Sequence, residues 1–169
     1  KLICLRSGKI LAAAYTDGVY LIDPKSYEVT PLDNRYNNQW SSAIDMLEGR
    51  DGRIWIGTYD NYLLCYNPHV NELKEFSDFP SQDVVAISED NLGNLWASTS
   101  NGLYNIDAST GARRSFLNSF TATSEQFHEK AITRAPDGSI YFGGNSGLQQ
   151  VTPANEHQQS HHIPVYLTE

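Results

Sequence analysis

The sequence predicts an all-β fold, a partial β-propeller of about four blades, and three observations predict it. A motif recurs around Gly8, Gly52, Gly93 and Gly138, at spacings of 44, 41 and 45 residues. Ten Tyr, six Phe and three Trp fall largely in short apolar runs. Those runs are separated by turn dipeptides such as Asp51-Gly52, Asn101-Gly102 and Ser146-Gly147. No segment keeps a helical period through three turns.

The third copy reads most clearly. Strand A covers 84–90, strand B 94–99, strand C 102–107 and strand D 112–117, with Gly93 in the A–B hairpin and Asn101-Gly102 in the B–C turn. The second copy repeats Asp51-Gly52-Arg53-Ile54-Trp55-Ile56-Gly57-Thr58 but has Asp60-Asn61-Tyr62-Leu63 where a Gly pair is expected. The first copy is weaker: Lys1-Leu2-Ile3-Cys4-Leu5 is its strand A, and Leu11 stands where the others carry a large ring. The fourth keeps Asp137-Gly138-Ser139-Ile140-Tyr141-Phe142, and supplies strands A to C near 129–134, 139–144 and 147–152. The copies span 1–41, 42–82, 83–125 and 126–153, followed by a polar linker over 154–162 and an apolar tail over 163–169. Three blades are expected complete and the fourth short of its last strand, with the strand that would fill it lying upstream of Lys1. A repeat of 40–50 residues with four strands has one physical reading. A single four-stranded sheet cannot bury both faces, and stacking blades covers them. Leu11, Trp55, Trp96 and Tyr141 form the large-residue slot of that stack, while Ala97, Ser98, Gly143 and Gly144 leave room for a neighbour.

Composition narrows the partners. Twenty acidic against twelve basic residues give a net charge of −8, which argues against contact with a nucleic-acid backbone. No apolar stretch approaches the length of a membrane span. No basic segment followed by an apolar core opens the chain, so no signal peptide is expected within it. Lys1 is not an initiator Met, as expected of a piece of a longer chain. Cys4 and Cys65 lack partners at zinc spacing and read as two small buried strand residues.

Catalytic and metal chemistry find no motif. There is no nucleophile elbow and no phosphate loop. His128-Glu129 begins like His-Glu-x-x-His, but position 132 is Ile and a strand starts there. His157, His161 and His162 lie in the polar linker. Asp45, Glu48, Glu89 and Asp90 fall at repeat positions, where hydrogen bonds to turns or exposed charge explain them. No catalytic residue, metal or cofactor is therefore expected.

The segment Ile87 to Leu103 follows the pattern I-x-E-D-x-x-G-x-L-W-x-x-T-x-x-G-L, and resembles the two-component regulator propeller repeat. The second copy keeps Glu48, Gly52, Trp55, Gly57 and Thr58; the fourth keeps the Gly-Leu pair but has Arg134-Ala135 in place of Glu-Asp. Ile163-Pro164-Val165-Tyr166-Leu167-Thr168 is similar to the entry into the triple-tyrosine, immunoglobulin-like domain that follows such propellers. The resemblance implies a fragment of a larger, seven-bladed propeller. It implies a non-enzymatic, periplasmic ectodomain of an inner-membrane hybrid two-component sensor, whose parent chain is a histidine kinase. It also implies an oligosaccharide as ligand, the rest of the sensor chain as partner, and a homodimer of the parent. A protein-docking scaffold is the alternative, with a propeller lyase or a quinoprotein behind it; the Asp107-Ala108-Ser109-Thr110-Gly111 turn is similar to quinoprotein repeats.

Consecutive antiparallel strands place the D–A connections and B–C turns on one rim. Candidate ligand contacts there are Tyr36, Asn38, Gln39 and Trp40 in the first connection, Tyr59 and Asp60 after the second strand B, Asn101 and Asn145 in B–C turns, and Phe127 with His128 before the last copy. A sugar offers an apolar ring face and many hydroxyls, which an aromatic platform beside amides and carboxylates suits. Trp40 leads because it lies outside the repeated Trp slot. Trp55 and Trp96 repeat in register and read as core.

Overall fold

The structure, a computed structural model, describes residues 1–14, 18–32, 43–59, 63–76, 83–116, 126–152 and 161–163. Its described regular elements are all strands, in four four-stranded antiparallel sheets. The sheets are β1 to β4 (Leu2–Cys4, Ile10–Ala14, Gly18–Ile22, Val29–Pro31), β5 to β8 (Ala43–Glu48, Ile54–Thr58, Leu63–Asn67, Glu72–Phe76), β9 to β12 (Val84–Glu89, Leu95–Thr99, Gly102–Ile106, Arg113–Ser115) and β13 to β16 (Phe127–Arg134, Ile140–Gly144, Gly147–Val151, His161–Ile163). Strand order follows chain order in every sheet, as in propeller blades. Two compact units result, Lys1–Asp83 and Val84–Glu169, each holding two sheets.

The fourth blade corrects one expectation. It is not short of a strand: β16 pairs with β15 at Leu148↔Ile163, Gln149↔His162 and Gln150↔His161. Two linker residues, together with the first residue assigned to a following domain, thus close the blade. The strand was hidden because it is three residues long and polar, without the apolar alternation that marks a strand. Residues 164–169, where a following domain was expected to begin, lie outside the described residues.

The A–B hairpin explains the repeat. Gly8, Gly52, Gly93 and Gly138 have φ of +84°, +84°, +87° and +90°. Each glycine N–H donates to the carbonyl three residues earlier, at Leu5, Gly49, Asp90 and Ala135. The N–H of each of these residues donates in turn to the carbonyl of Lys9, Arg53, Asn94 and Ser139. This is a turn followed by a left-handed residue, a position glycine fills without steric cost. The C–D hairpins repeat too. Asp23, Asn67 and Asp107 each accept a backbone N–H two residues on, from Lys25, His69 and Ser109 at 2.9, 3.0 and 2.8 Å. Four residues after each stands a left-handed residue: Tyr27, Asn71 and Gly111.

Alternation along the strands sends Leu11 and Val19 of the first sheet against Met46, Ile54, Ile56 and Leu64 of the second, forming the core of the first unit. Arg6 ties the two A–B hairpins together. Its backbone N–H donates to Glu48 at 2.8 Å, and its guanidinium reaches the carbonyls of Gly49 and Arg50. In the second unit Arg134, at the position of Glu48, donates to Asn91, at the position of Arg6. The same clasp is thus built with its donor on the opposite partner. Asp45 is buried and takes the Lys1 ammonium and the Met46 N–H, so it is not an exposed charge.

Leu11, Trp55 and Trp96 are buried, as their register requires. The two Trp side chains are held differently. Trp96 donates its indole N–H to Asp90 at 3.0 Å and meets the Phe116 ring edge-on at 4.7 Å. Trp55 lies beside Phe76 at 5.5 Å and under the Arg53 guanidinium at 5.3 Å. Tyr141 departs from the slot and is only half-buried. The face of the first sheet turned away from the second carries Leu2, Cys4, Ile10, Ala12, Tyr20, Ile22 and Val29, with Leu2 70% and Val29 57% exposed. Cys4 is therefore exposed rather than buried, while Cys65 is buried as expected.

Candidate functional site

Strand A of each sheet from the second on begins opposite the end of strand B. The pairs are Ala43↔Thr58, Val84↔Thr99 and Phe127↔Gly144. The entry to strand A and the B–C turn therefore lie at the same end of each sheet, and this is the rim that carries the candidate residues.

Tyr36, Asn38, Gln39, Trp40 and Asp60 lie outside the described residues. Tyr59 follows β6 directly and is half-buried. Asn101 is half-buried in the third B–C turn. Its N–H donates to the Thr99 hydroxyl at 3.1 Å, and that hydroxyl donates to the Gly102 carbonyl at 3.0 Å. The turn is thus braced from below and leaves the Asn101 amide at its edge.

The fourth blade brings the remaining candidates together. Asn145 is exposed, and its backbone N–H donates to the Gln126 carbonyl at 3.0 Å. Its side-chain amide donates to the Gln126 amide oxygen at 3.1 Å. This doubled bond locks the B–C turn to the residue that enters β13. Phe127 follows, only 4% exposed, its ring edge-on to Phe142 at 6.1 Å. It offers no ring face to a ligand: it is the peg that holds the rim down. His128 follows and is exposed.

A feature not foreseen from sequence begins there. The β13–β14 ladder jumps from Phe127↔Gly144 to Ile132↔Phe142. Four residues, His128-Glu129-Lys130-Ala131, thus oppose the single Gly143. In the third blade only Val85 and Ala86 lie between the equivalent pairs, opposite Ser98. The bulge is two residues longer than its counterpart. Lys130 adopts φ of +57°, a costly conformation for a residue with a long side chain. His128, Glu129 and Lys130 are exposed, whereas Ala131 turns inward. A Cβ at Gly143 would come within 3.1 Å of Ala131, so the glycine gives the bulge its seat. The signal was present in the spacing from Phe127 to Gly144, which exceeds that from Val84 to Thr99 by two. Aligning on glycines alone hid it.

The carboxylates flagged in sequence serve the scaffold. Asp90 accepts four hydrogen bonds within its own hairpin, and Glu48 takes Arg6. The Cys65 thiol is pushed up to about 11 by burial. Among the described residues no three His, Cys, Asp or Glu side chains lie together as a metal ion would need. Among them, too, no helix is long and apolar enough to cross a membrane.

Four consecutive four-stranded antiparallel sheets, each with strands in chain order, define a partial β-propeller. Residues 37–60 and 78–101 match the family model of the two component regulator propeller, so the chain carries two-component regulator propeller repeats. Similar solved structures agree on the fold. One is the extracellular domain of a protein described as hybrid two component system BT4673 from B. thetaiotaomicron. It has a TM-score of 0.76 and 21% identity over 96% of this chain and 21% of that one. A second is the extracellular domain of hybrid two component system BT3049 from the same organism, with a TM-score of 0.76 and 18% identity over 99% and 22%. Virginiamycin B lyase from Staphylococcus aureus also superposes, with a TM-score of 0.72 and 17% identity over 97% and 55%. The chain spans about a fifth of the two extracellular domains. No curated protein matches it in sequence.

Proposed function

We propose that these residues form part of the extracytoplasmic, ligand-sensing propeller of a hybrid two-component sensor histidine kinase, and that the ligand is an oligosaccharide. The observation that carries the reading is the two-component regulator propeller repeat, found at two positions in the chain. The rim supports it. Exposed Asn145 and His128 and the edge of Asn101 supply polar fixation of the kind sugar hydroxyls need. Trp40 with Tyr36, Asn38 and Gln39, and Tyr59 with Asp60, complete the proposed contacts. In this reading the segment is non-enzymatic and periplasmic, and the parent sensor works as a homodimer whose geometry shifts on binding. The lyase likeness, at 17% identity, concerns the fold alone and brings no chemistry with it.

The test is a thermal-shift screen of the full chain against defined oligosaccharides. A ligand at 100 times its dissociation constant adds about 2.7 kcal/mol of apparent stability. A shift with one glycan class, abolished by Trp40→Ala, supports the reading. No shift across the panel, with a protein partner captured instead, moves the segment to the docking class.

A further inference from the structure

We infer that the four-residue bulge His128-Glu129-Lys130-Ala131 is a recognition element for an oxyanion, the carboxylate or sulfate of an acidic oligosaccharide; this rests on the oligosaccharide reading above and narrows its substrate class. The bulge departs from the repeat where the rest of the blade keeps it. Its neighbours hold it rigidly. Phe127 anchors one side in the core, Ala131 seats against Gly143 on the other, and the Gln126–Asn145 pair braces its entry. An insertion fixed this firmly, with a long side chain held at φ +57°, spends stability on presenting particular side chains.

Those side chains are rich in donors. The Lys130 ammonium has three N–H donors and the neutral His128 ring one. Both are exposed, and no described residue engages either side chain. Gln126 is exposed and uses its amide oxygen to accept from Asn145, so its NH2 group carries two further donors. Glu129 has an interaction of its own. Four residues of β13 also leave the ladder to β14, with Lys130 in the left-handed region. Lys130 and Glu129 cancel in formal charge, so what the bulge holds is a local surplus of N–H donors. A neutral sugar, whose hydroxyls both donate and accept, has no need of such a surplus; an oxyanion accepts only.

The test is calorimetric titration of the full chain with three probes of matched length: an oligogalacturonate, a sulfated oligogalactan and a neutral oligogalactose. The expected result is that one acidic probe binds at least about tenfold tighter than the neutral one, roughly the worth of a hydrogen bond to a charged group. Its affinity should fall as salt is raised. Lys130→Gln and His128→Gln should each lose about tenfold, and Lys130→Arg should retain binding. Lys130→Gly is the folding control: it relieves the left-handed strain, so it should melt no lower than wild type yet bind as weakly as Lys130→Gln. Which acidic probe binds identifies the source of the oxyanion. If the neutral probe binds as tightly as both acidic ones and Lys130→Gln changes nothing, the oxyanion inference fails while oligosaccharide sensing stands. If none of the three binds and no other glycan shifts the melting temperature, both fall.

Discussion

Removing the Asp90 carboxylate should destabilise the second unit through Trp96. Asp90 is fully buried and accepts four hydrogen bonds: from the N–H groups of Leu92 at 2.9 Å and Asn94 at 2.8 Å, from the Asn94 amide at 2.9 Å and from the Trp96 indole at 3.0 Å. The donors do not suffer equally. Leu92 is exposed and Asn94 half-buried, so their groups can turn to water when the carboxylate goes. The Trp96 indole is buried and cannot. An orphaned buried donor costs about 1–3 kcal/mol, and exchanging the other bonds for water costs a fraction of that each. Asp90→Ala should therefore lose about 3 kcal/mol. Asp90→Asn should lose most of that, because its oxygen still accepts the two backbone N–H groups while its NH2 leaves the Trp96 indole unpaired and opposed. Urea unfolding followed by circular dichroism measures both. A double-mutant cycle isolates the cause. In a Trp96→Phe background, which has no indole N–H, the Asp90→Ala penalty should shrink by about 1–2 kcal/mol. A loss below about 1 kcal/mol, or an undiminished penalty in that background, would refute the reasoning.

Three further outcomes follow from the hairpins and thiols. Tyr27, 84% exposed at φ +59°, occupies the C–D hairpin position that Gly111 fills in the third blade, so Tyr27→Gly should stabilise by about 0.5–1 kcal/mol in urea unfolding. The Ser109 hydroxyl and the N–H groups of Ser109 and Thr110 hold the Asp107 carboxyl down to about 2 against an ordinary 3.8. A depressed acid stabilises the fold in its ionised form. The advantage of wild type over Asp107→Ala, read from unfolding midpoints, should hold above about pH 4 and vanish as the pH falls to about 2. A thiol reagent at pH 8 should modify exposed Cys4 in the native protein and leave Cys65, pushed up to about 11 by burial, until urea is added.

Where the sequence was legible, a local physical demand repeats. A left-handed turn position calls for glycine, and the buried slot calls for a large apolar residue. Gly8, Gly52, Gly93 and Gly138 and the row of Leu11, Trp55 and Trp96 could therefore be read without a structure. Tyr141 shows the limit: it keeps the register of the slot yet is only half-buried. Cys4 is exposed, lying on the face of the first sheet turned away from the second. The strand His161–Ile163 carries no pattern of its own, and its pairing depends on the register offered by β15. On the candidate site, residue chemistry suggested rings as platforms, yet Phe127 is a core peg. The decision between platform and peg lies in tertiary contact with Phe142, which composition does not carry. The bulge after it was written only as a difference of two in a spacing.

The most direct measurement is hydrogen exchange of the full chain with and without the oligosaccharide that gives the largest thermal shift. The account predicts slowed exchange over residues 126–131 and at 145–146, with the A–B hairpins around Gly52, Gly93 and Gly138 unchanged on the opposite ends of their sheets. Protection confined to the A–B hairpins, with none at the fourth blade's bulge, would contradict it.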